Sequence, residues 1–226
     1  MAERGRPRSF DRTVALRRAM EVFWAKGYEG ASLADLTGAM GINSPSLYAA
    51  FGSKEALFGE AVALYGETEG TAIWHAIPEA PTAREAIRRF LEATAEAFSA
   101  PGKPPGCLIV LGALHAGEAS TGVCRDLRAR RAGNVETLRA RFERAVLEGE
   151  LPMGFDCTAA ATFYATVQHG MSIQALDGAA REALLAVARG AMAAWDGLVS
   201  SAGPRGAPRG APQEASGAGT QRGSDC

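Results

Sequence analysis

Little in this sequence points to a metal, a disulfide framework or a membrane. Its four cysteines, Cys107, Cys124, Cys157 and Cys226, include no CxxC pair and no other metal-like spacing, so neither a zinc site nor a disulfide framework is expected. The three histidines, His75, His115 and His169, lie far apart from one another and from the cysteines. No metal and no cofactor are expected. An enzyme is not expected either: no histidine stands beside Cys107, and no Ser/His/Asp grouping or glycine-rich phosphate loop is present. No apolar run approaches the roughly 18–20 uncharged residues of a membrane span. The opening MAERGRPRSF has arginines but no apolar stretch behind them, unlike a secretory signal, so a cytoplasmic protein is expected. There is no internal repeat. The formal net charge of −1 excludes little, yet its distribution is uneven. Residues 1–18 carry Arg4, Arg6, Arg8, Arg12, Arg17 and Arg18 against only Glu3 and Asp11, a basic arm suited to phosphate.

What the sequence does have is helix. Apolar residues make up 47% of the 226, an ordinary supply for a buried core. Leu and Ala outnumber Val and Ile, and the Gly/Pro clusters fall between long periodic segments, which predicts an all-α fold. About nine helices are expected. The first runs from a cap at Asp11 to Lys26, with Gly27 as its stop. Ser32 caps Leu33–Met40 with Asp35 in a capping-box position, and Gly41 ends it. Ser44–Phe51 follows with Pro45 in its first turn, then a longer helix capped by Ser53. Beyond Tyr65 the pattern weakens to a proline-containing loop at 77–81. Further helices are predicted over Thr82–Ser99, Cys107–Ala116, Gly122–Gly149, Asp156–Ala175 and Asp177–Ser200. Residues 201–226 are rich in Gly, Pro, Ala and Ser without periodicity and read as a disordered tail. The expected division is residues 1–52, 53–200 and 201–226.

Three short N-terminal helices with Gly41 between the second and third follow the plan of a helix-turn-helix. Such a unit needs a third helix with small polar groups outward and an apolar face inward. Asn43, Ser44 and Ser46 stand at its start, Leu47 and Tyr48 follow, and Phe51 with Ala50 can face inward. Serine and asparagine can bond to bases or phosphates, and a helix N-terminus itself favours a phosphate.

On these residues the sequence resembles the TetR/AcrR family of bacterial regulators. The matching positions are Phe23–Gly27–Tyr28, Ser32–Leu33–Leu36, Met40–Gly41–Ile42–Asn43, Ser46–Leu47–Tyr48, Phe51 and Lys54–Glu55–Leu57. The resemblance implies a helix-turn-helix DNA-binding domain joined to a helical ligand-binding and dimerisation domain. It implies phosphate binding by Ser32, a DNA face at Ser44, Ser46, Leu47 and Tyr48, a backbone contact by Lys54, and a minor-groove contact by Arg6 or Arg8. Pro45 and Ser46 stand where many members have Gly or Ala, so base preference does not transfer. A homodimer through the last two helices, about 156–200, is also implied, on a palindromic double-stranded operator. The apolar arc of the final helix is wide, which suits an isologous interface.

By the same resemblance, helices between about 55 and 175 surround a small-molecule effector whose binding shifts the protein away from operator. Candidate lining residues are Tyr65, Trp74, Phe90, Leu111, Leu114, His115, Phe142, Tyr164 and Gln168. An alternative places the signal on Cys107. It follows Pro-Pro-Gly at a helix start, where the dipole favours thiolate, and would make the protein a redox or electrophile sensor. From other classes, a thiol enzyme or an interaction protein without DNA binding stays open.

Overall fold

Asp11 starts the first helix as a side-chain cap, its carboxylate accepting the N–H groups of Thr13 and Val14 at 2.9 and 3.1 Å. The computed structural model describes residues 10–113 and 121–201. Arg6, Arg8, Leu114, His115, Cys226 and the tail beyond Ser201 lie outside the described residues. Among the described residues all regular structure is helical. The reading unit consists of α1 (Arg12–Gly30), α2 (Leu33–Met40), α3 (Ser44–Phe51) and the start of α4 (Lys54–Thr68). Behind it come α5 (Thr71–Trp74), α6 (Ala76–Glu79), α7 (Ala83–Phe98), α8 (Leu108–Leu111), α9 (Thr121–Leu147), α10 (Cys157–Leu176), α11 (Arg181–Ala193) and α12 (Trp195–Ser200).

Helix α1 packs on both α2 and α4, and α3 is held between α2 and α4. Phe23, fully buried, meets Phe58 edge-on with ring centroids 5.0 Å apart, and so joins α1 to α4. In the second half, α7, α9, α10 and α11 pack side by side. Phe142 of α9 lies 6.2 Å from Tyr164 of α10 and 6.1 Å from Trp195 of α12. These buried side chains form one continuous core with those of the reading unit, and each large aromatic in it contributes on the order of 2–3 kcal/mol of burial. Arg141 is buried against this core, with Glu150 3.5 Å from its Nη2. The other oxygen of Glu150 accepts the Ala83 N–H at 2.6 Å, which ties the start of α7 to the end of α9.

Several boundaries differ from the expected ones, among them a kinked continuation of α1 past Gly27 to Gly30 and an α8 that ends at Leu111. Helix α4 continues past Tyr65 to Thr68, and the loop beyond it winds into the single turns α5 and α6. Pro78 is accommodated in α6 because a first-turn N–H has no helical acceptor to lose. The final helix starts at Arg181 rather than Asp177, because Asp177 ends α10 and Gly178 reverses the chain with φ of 91°. It then breaks at Ala194.

Candidate nucleic-acid interface and effector cavity

The helix-turn-helix is built from local caps. Ser32 Oγ accepts the Asp35 N–H at 3.1 Å while Asp35 Oδ2 accepts the Ser32 N–H at 3.0 Å, a complete capping box. Gly41 takes the left-handed conformation, φ 68° and ψ 32°, that ends α2, and Asn43 Oδ1 then accepts the Ser46 N–H at 2.9 Å to begin α3. Leu47 and Phe51 are one turn apart and both buried, Leu47 completely. The outward face of α3 is therefore Pro45, Tyr48 and Ala49, with Ser44 and Ser46 half-buried beside it. Placing Leu47 on the DNA face is corrected by this geometry: its isobutyl group anchors α3 to the core. Pro45 and Ala49 join the face unexpectedly, although the inward pair Leu47 and Phe51 already fixes them as outward by helical period. Tyr48 is 44% exposed and presents its phenol beyond two small neighbours, a surface that admits close approach to a groove wall.

Charged groups around this face are already engaged. Lys26 Nζ pairs with Asp35 at 2.5 Å, and that bond with those from Ser32 holds the Asp35 carboxyl at about 2. Lys54 Nζ sits over the Tyr28 ring, 4.5 Å from its centroid, at the start of α4. Arg12 stacks over Phe51 at 4.3 Å and bonds Glu60 at 2.6 Å. Residues 10–60 hold five basic and six acidic residues. Excess positive charge at this end is thus confined to Arg4, Arg6 and Arg8 of the arm.

A cavity of about 400 Å³ opens in the second half, walled by α4, α5, the start of α8, α9 and α10. It brings Tyr65, Trp74 and Gln168 together with Cys107, and adds Ile73, Ile109, Asn134 and Thr137. Gly66, Gly70 and Gly133 leave room along its wall. Four expected lining residues do not reach it. Phe90 is fully buried beneath Trp74, with centroids 4.9 Å apart, and supports the wall from behind. Phe142 and Tyr164 belong to the aromatic core beside Trp195. Leu111 faces a separate cleft against Gly27, Tyr28 and Leu176.

Cys107 is 6% exposed, and burial raises its thiol pKa. The expected dipole effect fails physically, because α8 is a single turn and desolvation outweighs it. Cys107 is a neutral thiol beside the Tyr65 hydroxyl, which burial likewise keeps protonated. A thiolate sensor there is not favoured.

The cavity wall is tied directly to the reading unit. Trp24 Nε1–H of α1 donates to Gly106 O at 3.1 Å, Cys107 N–H donates to Ser172 Oγ at 2.9 Å, and Tyr28 N–H donates to Gly112 O at 2.7 Å. Ile173 and Leu176 of α10 and Val187 of α11 stand exposed. The stretch Arg181–Ser200 is long and apolar enough to cross a membrane by length and composition, with a mean hydropathy of 1.2. It packs one face on α7 and α10 and carries Arg189 and Asp196.

Comparison with known proteins agrees with this geometry. Residues 15–61 match the family described as bacterial regulatory proteins, tetR family. The chain is 35% identical over 199 residues to the HTH-type transcriptional repressor ComR of Escherichia coli (strain K12), covering 87% of this chain and 94% of that protein. It is 31% identical over 184 residues to the repressor BdcR of the same organism, covering 81% and 88%. Among solved structures, a cysteine-substituted variant of the TetR family regulator CifR, complexed with a 26-base-pair operator duplex, superposes with a TM-score of 0.82 at 49% identity. That match covers 84% of this chain and all of that one. TetR-type regulators are dimeric DNA-binding proteins that take small-molecule effectors, and are not enzymes. The chain belongs to the TetR family of transcriptional regulators.

Proposed function

We propose that this protein is a repressor that leaves its operator when a small molecule fills the cavity walled by Tyr65, Trp74, Cys107 and Gln168. The observation that carries the reading is the pair of bonds from α1 to residues 106 and 112, at the two ends of the segment that supplies Cys107 and Ile109 to the cavity. A ligand that moves this segment acts on the helix that supports the reader, so it binds the DNA-competent and released arrangements with different affinity. The relatives named as repressors favour this sign of regulation.

Residues 1–52 serve as the reader, 53–200 as sensor and dimerisation unit, and 201–226 as a tail. Tyr48, Ser44 and Ser46 meet DNA from α3, while Ser32, Asn43 and Lys54 flank it at helix starts, and Arg6 or Arg8 enters the minor groove. The exposed apolar face of α10 and α11 pairs with its own copy, which sets two recognition helices about 34–36 Å apart on a palindromic site. The protein acts in the cytoplasm, at the nucleoid.

Anisotropy titration with duplex DNA at two salt concentrations tests the reading. Binding should weaken steeply with salt, and Tyr48→Ala should weaken it further while sedimentation still reports a dimer. Unchanged affinity in that variant would mean that α3 does not dock as described.

A further inference from the structure

Gln168 is 2% exposed, yet its carboxamide has no hydrogen-bond partner among the described residues and it lines the cavity. The carboxamide opens onto the cavity, so a group that enters can pair with it. Its helix neighbour one turn on, Ser172, accepts the Cys107 N–H on its Oγ and makes no hydrogen bond to Gln168. Across the cavity, Trp74 and Ile73 on one side and Ile109 on the other are apolar surfaces. Charge on the wall is compensated: among the described residues Arg130 is its one charged member, and it pairs with Asp126 at 3.0 Å. Tyr65 and Cys107 both stay protonated.

We infer that the cavity takes a flat, uncharged ligand with a hydrogen-bond donor and acceptor side by side on one edge, as in a ring lactam. The rings lie against Trp74, and the edge pairs with the oxygen and nitrogen of the Gln168 amide. A glutamine carboxamide offers one acceptor and two donors in a plane, so a lactam edge satisfies both sides at once. A charged ligand would be buried without a free counter-charge, which is disfavoured. The inference rests on the reading of this cavity as the effector site but concerns what binds there, and the two fail separately.

The test uses the full-length protein and four probes: 2-quinolinone, N-methyl-2-quinolinone, naphthalene and 2-naphthoate. Binding is read by tryptophan fluorescence, and operator release by anisotropy in the same titration. We expect 2-quinolinone to bind most tightly and the N-methyl and naphthalene probes to bind roughly tenfold or more weakly, because a site built to hydrogen-bond discriminates against analogues that cannot. Gln168→Leu should abolish the preference for 2-quinolinone while still binding naphthalene. Gly133→Leu should block all four probes, since nothing lies within 4 Å of a Cβ built at Gly133 and a side chain can enter without displacing the fold. No binding of 2-quinolinone, equal or tighter binding of 2-naphthoate or naphthalene, or an unchanged preference in Gln168→Leu would each overturn the inference. Tight 2-quinolinone binding without operator release would uphold the ligand class and sink the effector reading.

Discussion

Each of the first four helices begins on a side chain that caps it, whereas the two short helices of the cavity wall do not. Asp11, Ser32, Asn43 and Ser53 all accept backbone N–H groups of the helix they precede. Helix α5 starts from Gly70 and α8 from Cys107, and neither has a side-chain cap. The same contrast holds for polar side chains: those that start the reader's helices are paired locally, while Gln168 faces open space in the sensor. A reader must hold one shape to fit a groove, and saturated local bonds provide that. A sensor must answer to something outside the chain, and unpaired groups in a cavity are what an outside molecule can pair.

The comparison breaks most sharply at the reader's core. Phe23→Ala should cost about 3–5 kcal/mol by removing a fully buried ring that meets Phe58, read by urea unfolding. A destabilisation under about 1 kcal/mol would show that α1 and α4 collapse around the gap. Next in size is the arm. Because the described reader carries no excess of positive charge, removal of residues 1–9 should flatten the salt dependence of DNA binding, by about 0.9 in log–log slope for each phosphate that the arm neutralises. An unchanged slope would assign phosphate binding to the folded unit alone.

Two alanine substitutions sharpen the contrast with opposite signs. Asn43→Ala should destabilise by about 1 kcal/mol, through removal of the cap on α3. Gly133→Ala, in the middle of α9, should stabilise by up to about 1 kcal/mol, since nothing crowds the new methyl. Equal signs in thermal unfolding would erase the distinction between the regions.

The smallest effect is electrostatic. Asp35 has its pKa lowered, so its pairing is complete above the ordinary value of 3.8 and disappears as pH falls through about 2. Lys26→Met should move the carboxyl back toward 3.8, followed by NMR titration. No movement would leave Ser32 as the group that holds it down.

The legibility of the two regions follows the same physics. The helix-turn-helix could be read from sequence because its determinants lie within a turn or two of one another: Ser32 with Asp35, Gly41 before Asn43, Leu47 with Phe51. Even there the family's DNA face misplaces Leu47, which the helical period turns inward beside Phe51. The cavity could not be read in this way. Its wall draws on residues from Tyr65 to Gln168 in five elements, and nothing local distinguishes Trp74, which lines it, from Phe90 just behind. Phe142 and Tyr164 are equally aromatic and lie wholly in the core. The clue that did exist was in small residues: Gly66, Gly70 and Gly133 mark where the wall has been left thin. The final helix misled for another reason, because its start depends on a chain reversal at Gly178 and not on its apolar pattern.

Where the two regions meet, Gly27 has a φ of 69° and a Cβ built on it would stand 3.2 Å from the carbonyl oxygen of Gly112. The next residue, Tyr28, bonds that same oxygen at 2.7 Å. No side chain intervenes, so there is no rotamer to swing aside and soak up a small displacement. Main chain bears on main chain like two gears with no backlash. A shift of residue 112 by more than the give of one hydrogen bond must drag the end of α1 with it or break the joint. A side chain at Gly27 would strain a positive φ and press on that oxygen, and a Cβ at Gly112 would stand 2.5 Å from the Leu108 carbonyl oxygen, so either substitution must displace the joint and loosen the hold of the cavity wall on the reader.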